Sequence, residues 1–432
     1  MTARAAEWDR PKLAGFQLRQ LTALLDEIHP RNPFYKQKFS QAGLARKDIT
    51  ALRDLARLPF TTKEEIIADQ ANHPPYGRML TYPAERYCRM HQTSGTSGKP
   101  LRWLDTQESW NQILARWEQI YAIAGVSAAD RLFFAFSFGP FIGFWSAFES
   151  ANRLGYFSLP GGGMSSGARL RFLLDNRITV VLCTPTYALR LAEVAQEEGI
   201  DLAACAVRAL IVAGEPGGSV PTTRARIERE WDARVFDHSG MTETGPLGIE
   251  CQQKPAGLHL LENSCLVEVI DPATGSPVER GETGELVLTN LERWGSPLLR
   301  YRTGDLVRVD PNPCPCGCVF VRLEGGILGR TDEMIHIRGN NFYPSALESL
   351  ITQFAEIAEY QIEIDESGSL PAVRIELEPI KTFTDGSLAQ RVARAVHEEF
   401  LFRADVKTVS PGSLPRFEMK ARRVRRTKNE TR

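Results

Sequence analysis

Thr179-Val180-Val181-Leu182-Cys183-Thr184-Pro185 is the stretch on which the fold turns. Thr179 to Cys183 form a short apolar run that reads as a strand. Thr184 follows as an N-cap, and Pro185 takes the first helical position, where its missing N–H leaves no bond unmade. Gly199 lies just past the helix end, where a left-handed residue closes the last turn. A strand feeding directly into a helix predicts a parallel sheet, because parallel neighbours need a crossover connection.

The same pattern recurs on both sides. Arg131 to Ser137, Ala209 to Ala213 and Arg234 to Asp237 are further short apolar runs, the last two ending in polar or Gly-containing segments. The reading is an α/β fold with a doubly wound, mostly parallel sheet, and ligands at the carboxyl ends of its strands. Upstream, Trp8 to Phe39 reads as amphipathic helix broken at Pro30, with Leu21, Leu24, Leu25 and Ile28 on its buried face. Downstream of Leu258 the style changes. Leu266 to Ile270 and Gly284 to Thr289 alternate around the turn signals Asp271-Pro272, Thr274-Gly275 and Arg280-Gly281, predicting an antiparallel β subdomain beside the sheet. From about Thr331 a third unit begins: a strand at Met334 to Ile337, a helix after Pro344, a strand at Ala372 to Leu377 and a helix from Leu388 to Leu401. The expected division is a large N-terminal domain, residues 1–330, and a small mobile α/β cap, residues 331–432. The last stretch, Lys420 to Arg432, reads as a basic tail.

Bulk properties narrow the function. The chain has 432 residues, 43% hydrophobic and 24% charged, and a net charge of −1. That composition suits a globular protein of two or three domains and gives no global attraction to nucleic acid or to an anionic membrane. The apolar stretch from Leu132 to Phe148 is broken by Ser, Gly and Pro and is too short to span a bilayer, and Met1 to Arg10 has no apolar leader core. A cytoplasmic protein follows as the expectation. The eight cysteines then read as thiols or metal ligands, and Cys314, Cys316 and Cys318 crowd into one short segment.

Thr93-Ser94-Gly95-Thr96-Ser97-Gly98-Lys99-Pro100 carries the strongest chemical signal. Glycines let the backbone approach an anion, hydroxyls and N–H groups donate to it, and Lys99 adds charge. Gly95 and Gly98 are too close together for a Walker A loop, and Pro100 follows the lysine, so this is a different phosphate loop. Alone it would read as a flexible Ser/Gly loop. Asp305 alone would read as a turn residue, Glu243 as a helix-start charge and Lys420 as one more cation in a basic tail.

An ordered set of motifs changes those readings. The phosphate loop resembles that of the acyl-adenylating superfamily of acyl-CoA synthetases, luciferase and peptide-synthetase adenylation domains. Gly214-Glu215-Pro216-Gly217 resembles the adenine-side loop of its phenylacetate–CoA ligase branch, and Ser239-Gly240-Met241-Thr242-Glu243 the aromatic-Gly-x-Thr-Glu motif. Tyr301-Arg302-Thr303-Gly304-Asp305 is similar to the ribose motif. Gly329-Arg330-Thr331-Asp332-Glu333 resembles the interdomain hinge, Arg338-Gly339-Asn340-Asn341 the loop after it, and Leu414 to Lys420 the segment with the adenylation lysine. The resemblance implies an AMP-forming acid–thiol ligase. ATP and a small-molecule carboxylic acid, aryl or arylalkanoic like phenylacetate, would give an acyl-adenylate and pyrophosphate, and CoA would then displace AMP.

It also implies roles. Thr93, Ser94, Gly95, Thr96, Gly98 and Lys99 would hold the triphosphate. Gly214, Glu215, Pro216, Ser239, Gly240, Met241 and Thr242 would hold the adenine side, with Arg330 also at the nucleotide. Glu243 would ligate Mg²⁺, which suits one carboxylate plus phosphate oxygens and water. Asp305 would accept the ribose hydroxyls. Lys420 would bridge the acid and the α-phosphate, where charge develops. Asp332 would be the hinge about which the cap turns between half-reactions. Ser239 departs from the family's aromatic residue, leaving His238, a residue from elsewhere or the Gly214–Gly217 loop to hold the base. Phe138, Phe141 and Trp145, within the Gly-interrupted segment Phe136 to Trp145, would line the acyl pocket. Cys314-x-Cys316 resembles a Cys-Pro-Cys-Gly element of phenylacetate–CoA ligase-like proteins, with Cys251 and His259 as partners in a structural Zn²⁺ set that would clamp the β subdomain; Cys318 competes as a ligand. Three matters stay open at this level: transfer to a carrier protein or amine in place of CoA, a non-catalytic nucleotide- or acyl-binding regulator, and association as a homodimer.

Overall fold

The computed structural model describes residues 8–93, 100–333, 335–337, 340–366, 372–383, 385–417 and 421–427. Its first helix, Arg10–Arg31, runs through Pro30 and stops at Asn32, two residues later than the proline predicts. Pro30 sits in the last turn, where few intrahelical bonds remain to be lost. Asn32 makes the break: its Oδ1 accepts from Tyr35 N at 3.1 Å to start the helix Pro33–Gln41, and its Nδ2 donates to Met79 O at 2.7 Å.

Strands β1 (Tyr87–Gln92) and β2 (Arg102–Thr106) form an antiparallel hairpin, and the Thr93–Pro100 segment lies between them. Seven strands follow: β3 (Arg131–Phe134), β4 (Phe157–Pro160), β5 (Val180–Cys183), β6 (Ala209–Ala213), β7 (Arg234–Met241), β8 (Gly245–Glu250) and β9 (Gly257–Leu260). After them come β10 (Cys265–Ile270), β11 (Thr283–Asn290), β12 (Tyr301–Arg308), β13 (Arg322–Glu324) and β14 (Gly329–Arg330). The main sheet has eight strands in the order β13-β9-β8-β7-β6-β5-β3-β4. From β4 to β7 every pairing is parallel, and β8, β9 and β13 extend it antiparallel.

All four residues of β5 are buried, as its unbroken apolar run requires of a strand covered on both faces. Helices Ser166–Asp175, Pro185–Glu197 and Pro221–Trp231 pack one core against the sheet, and Gln107–Ile123 with Ile142–Arg153 pack another. Thr184 Oγ1 accepts from Tyr187 N at 3.2 Å, the cap expected of it, and Gly199 has φ +69° beyond the helix end. The β subdomain is the antiparallel sheet β10-β11-β12-β14, joined to the N-terminal helices through Leu266, Leu291 and Leu298 to Tyr301.

Beyond β14, residues Thr331–Glu333 make one 3₁₀ turn. There follow β15 (Ile335–Ile337), β16 (Asn340–Phe342), the helix Pro344–Ile351, β17 (Ile357–Asp365), β18 (Ala372–Pro379), the helix Leu388–Phe400, β19 (Asp405–Thr408) and β20 (Val424–Thr427). This unit has its own sheet, β19-β18-β17-β20, and its own core of Ile335, Leu347, Ile362, Leu377, Val392 and neighbours. Part of the expected basic tail is therefore a strand: β20 pairs parallel with β17, Ile362 opposite Val424. No helix among the described residues is long and apolar enough to cross a membrane.

Candidate functional site

β7 ends in the turn Thr242-Glu243-Thr244, and three buried side chains fix that turn. Arg293 is fully buried and binds Asp105 through two bonds of 2.8 and 2.6 Å, while its Nη1 donates to the carbonyls of Thr242 at 2.8 Å and Glu243 at 2.9 Å. Arg116 Nη1 and Asn290 Nδ2 both donate to Thr244 O, at 2.7 and 3.0 Å. These bonds, charge-assisted where an arginine donates, satisfy the carbonyls of the turn. The Glu243 carboxylate, itself buried, meets Tyr301 Oη at 3.4 Å and Lys63 Nζ at 3.9 Å. With so few partners among the described residues it keeps lone pairs for a hard cation, and the site therefore fits Mg²⁺. Arg293, Arg116, Asn290 and Lys63 are site residues that motif reading misses. Only the Thr-Thr-Lys-Glu-Glu run at 61–65, a capped helix start with a lysine in its first turn, could have hinted at one of them.

Asp305 lies on β12, in the antiparallel four-stranded sheet, buried, with Arg330 Nη1 at 2.9 Å from its Oδ1. Burial raises its carboxyl to about 6, although Arg330 opposes the rise. The same guanidinium donates to Asp332 Oδ1 at 2.9 Å, so one arginine links the carboxylate on β12 to the residue expected as the hinge. Asp332 O in turn accepts from Arg426 on β20 at 3.2 Å.

The Gly214–Gly217 loop leaves the carboxyl end of β6. Gly217, at φ +153°, passes so close to Pro185 that a Cβ would sit 2.5 Å from the proline Cβ. The Glu215 carboxylate is taken by two backbone donors, Thr186 N at 2.8 Å and Ala421 N at 2.7 Å. Ser239, on β7 opposite Gly248 of β8, is half-buried, and its neighbour His238 is buried. The imidazole lies 4.5 Å from the Trp117 ring, and its Nδ1 donates to Gly248 O at 2.7 Å. Burial lowers its pKa to about 4, which keeps the ring neutral. His238 therefore offers no free face to a base and does not replace the missing aromatic ring.

Thr93 Oγ1 accepts from Leu101 N at 3.0 Å and Thr93 N donates to Leu101 O at 3.0 Å, closing the neck of the phosphate loop. Ser94, Gly95, Thr96, Gly98 and Lys99 lie outside the described residues, as do Arg338, Gly339 and Lys420. The loop's neck adjoins the aromatic segment, since Gln92 N donates to Pro140 O at 2.8 Å. There Phe138 packs edge-on to Trp145 at 5.0 Å and to Phe148 at 5.4 Å, and Trp145 Nε1 donates to Gly139 O at 2.9 Å. Phe138, Phe141 and Trp145 are all half-buried, held by their own loop at the mouth of the helix Ile142–Arg153.

Cys251, His259, Cys314 and Cys316 come together, their ligand atoms all within 4.8 Å of one another. Cys251 Sγ is 3.6 Å from Cys314 Sγ, and Cys316 Sγ is 3.4 Å from His259 Nε2. Tetrahedral zinc with bonds of about 2.3 Å to sulfur sets such edges at roughly 3.8 Å, so the donor set fits that ion. The outer contacts fit as well: His259 Nδ1 donates to Phe320 O at 3.1 Å, fixing Nε2 as the ligand atom, and the N–H groups of Gln253 and Cys318 donate to Cys251 Sγ and Cys316 Sγ at 3.4 Å. Cys318 thus contributes backbone to the cluster. The cluster ties the loop between β12 and β13 to β8 and β9, so it sits where the antiparallel edge of the main sheet meets the chain leaving the β10-β11-β12-β14 subdomain.

The sequence pattern of the AMP-binding enzyme family matches residues 32–290, and that of the AMP-binding enzyme C-terminal domain matches 339–428. A phenylacetate-coenzyme A ligase from Thermus thermophilus is 32% identical over 437 residues, covering 96% of each chain. The crystal structure of 2-hydroxyisobutyryl-CoA ligase in the postadenylation state superposes with a TM-score of 0.89 at 30% identity, covering 95% of this chain and 89% of that one. The same ligase in its thioesterification state, with CoA, gives 0.73 at 30% identity, covering 98% and 91%. The two domains here thus sit relative to one another more as in the former.

Proposed function

The chain belongs to the AMP-binding enzyme family, and from that premise we propose that it activates an aryl or arylalkanoic acid of the phenylacetate type. It is an AMP-forming acid–CoA ligase working through an acyl-adenylate, which sets aside the regulator reading. The observation that supports the acid class is the self-braced aromatic loop Phe138–Trp145 beside the neck of the phosphate loop, which suits a flat apolar acid. A short branched hydroxy acid is the second reading, favoured by the likeness to 2-hydroxyisobutyryl-CoA ligase.

In the first half-reaction a carboxylate oxygen attacks the α-phosphorus of ATP and pyrophosphate leaves. Thr93 and the loop it closes would receive the β- and γ-phosphates, and Lys63 would add charge beside Glu243. Glu243 would hold Mg²⁺, which supplies neutralisation of the triphosphate when bound. Asp305 would accept from the ribose hydroxyls, and Lys420 would meet the charge growing between acid and phosphate. In the second half-reaction the CoA thiol attacks the acyl carbonyl and AMP leaves with the bond electrons, the cap having turned about Asp332.

Two experiments bear on this reading. Single acids (phenylacetate, benzoate, 2-hydroxyisobutyrate and a linear short-chain acid) are supplied with ATP and Mg²⁺, and AMP release is measured with and without CoA. Phenylacetate should give the highest kcat/KM, with sustained AMP release only when CoA is present. A preference for 2-hydroxyisobutyrate selects the second reading, and turnover that ignores CoA but responds to an amine or carrier protein removes CoA as acceptor. The second experiment follows from Asp305. Its carboxyl titrates near 6, so it is ionised above that pH and gains a proton as pH falls through it. Protonation costs an acceptor, so KM for ATP should rise below pH 6, by about tenfold per unit at the limit of a single titration. Asp305→Asn should show the high KM at every pH with no inflection; a wild-type KM that is flat from pH 5 to 8 rules the role out.

A further inference from the structure

We propose that Glu215 is a positioning residue that latches the cap in its adenylating orientation, by holding the backbone immediately after Lys420. This rests on the reading above, in which Lys420 serves the first half-reaction. The carboxylate bridges two donors that belong to different domains. Oε1 accepts from Thr186 N, in the first turn of the helix Pro185–Glu197, at 2.8 Å, and Oε2 accepts from Ala421 N, on the cap, at 2.7 Å. A helix N-terminus favours an anion, and the bond from Thr186 N aims the Glu215 carboxylate from within its own domain.

A second contact lies beside the first. Arg423 is gripped within the cap by Glu359, through bonds of 2.5 and 3.0 Å, and its guanidinium lies 5.1 Å from the centre of the Tyr360 ring. Its remaining nitrogen, Nη1, reaches across to Thr186 Oγ1 at 3.2 Å. Thr186 therefore receives the cap twice, through Glu215 and through its own hydroxyl. Both cap partners lie just before β20, which is paired to β17, so Ala421 and Arg423 travel with the cap sheet. When the cap rotates, both contacts break together. An interaction made in one of two states biases only that state. The latch thus favours adenylation and must release before the thiol can attack. Because it binds a main-chain N–H, it reads the place of the chain rather than the side chain at 421, and the loop that faces the adenine also reports that the cap has arrived.

The test uses the full-length protein with Glu215→Ala, Glu215→Gln and Thr186→Val, each checked for an unchanged melting temperature. Two quantities are read: single-turnover rates of both half-reactions, and amide hydrogen exchange of the peptide spanning 417–424 in the free protein. A hydrogen bond to a charged group corresponds to a change of roughly 10–100-fold. Glu215→Ala should lower the ratio of adenylation to thioester formation by that factor and speed exchange similarly. Glu215→Gln, which keeps one acceptor, should fall between it and wild type, and Thr186→Val should act in the same direction by less. Equal slowing of both half-reactions overturns the latch, as does unaltered exchange whatever the activity. Faster exchange in the variants of a protein that adenylates none of the acids leaves the latch standing and removes the proposed chemistry instead.

Discussion

Lys420→Ala should slow acyl-adenylate formation by roughly 10²–10³, the loss found when one donor is removed from a site of developing charge. The measurement is pyrophosphate exchange with the best acid of the panel, followed by single-turnover thioester formation from a chemically prepared acyl-adenylate and CoA. The second rate should stay near that of wild type, because the cap has then turned and the lysine has left the carbonyl. The distinction matters because the flanking chain is held so firmly. Arg416 and the N–H groups of Gly412 and Leu414 all bind the Glu378 carboxylate on one side, and β20 pairs with β17 on the other. A lysine that merely stabilised the cap would slow both steps alike. Equal slowing of both, or of neither, defeats the assignment.

The second large effect concerns folding. Protein purified without chelator should contain about one zinc per chain, and Cys314→Ser or His259→Ala should remove it. A structural site of this kind contributes on the order of 10 kcal/mol. Its loss should therefore appear as a fall in melting temperature, with near-normal turnover in whatever fraction remains folded. The cluster's position argues for that pattern: it fastens the antiparallel edge at β8, β9 and β13, and the turn that carries Glu243 is separately clamped by Arg293 and Arg116. Metal-free protein with unchanged stability after chelation would dispose of the idea.

Sequence patterns carry the fold a long way. The run from Thr179 to Cys183, followed by Thr184 and Pro185, specifies strand, crossover helix and parallel neighbours from local chemistry alone, and the structure has all three, the strand starting one residue later at Val180. What is lost depends on contacts between distant residues. Arg293 and Asp105 are 188 positions apart, and nothing local marks either as the brace of the Thr242–Thr244 turn. β20 reads as tail because Val424-Arg425-Arg426-Thr427 has too little apolar content to look like a strand; it is an edge strand whose partner, not its composition, creates it. β17 is different. From Tyr360 to Asp365 apolar and polar residues alternate with period two and burial follows them, so that part of the strand has a local signal; the irregularity at Ile357 to Glu359 blurs its start. The metal set was legible only through the resemblance of Cys314-x-Cys316 to a family element, which implied Cys251 and His259 as partners; the structure brings the four together. Glu215 was legible as a family position, whereas its carboxylate's two partners were not.

The anchoring of Lys420 on both sides has a consequence for timing. Arg416 and Val424 are fixed feet, each four residues from the lysine in sequence. A chain of four residues extends at most about 14 Å. On the role proposed for Lys420, its ammonium group would be on a short leash staked to the cap, and would not trail behind in the active site once the cap had moved. Its local concentration at the phosphate would then behave as a step rather than a slope: high in one orientation, negligible in the other. On that proposal the order of the two reactions would come from the length of a tether.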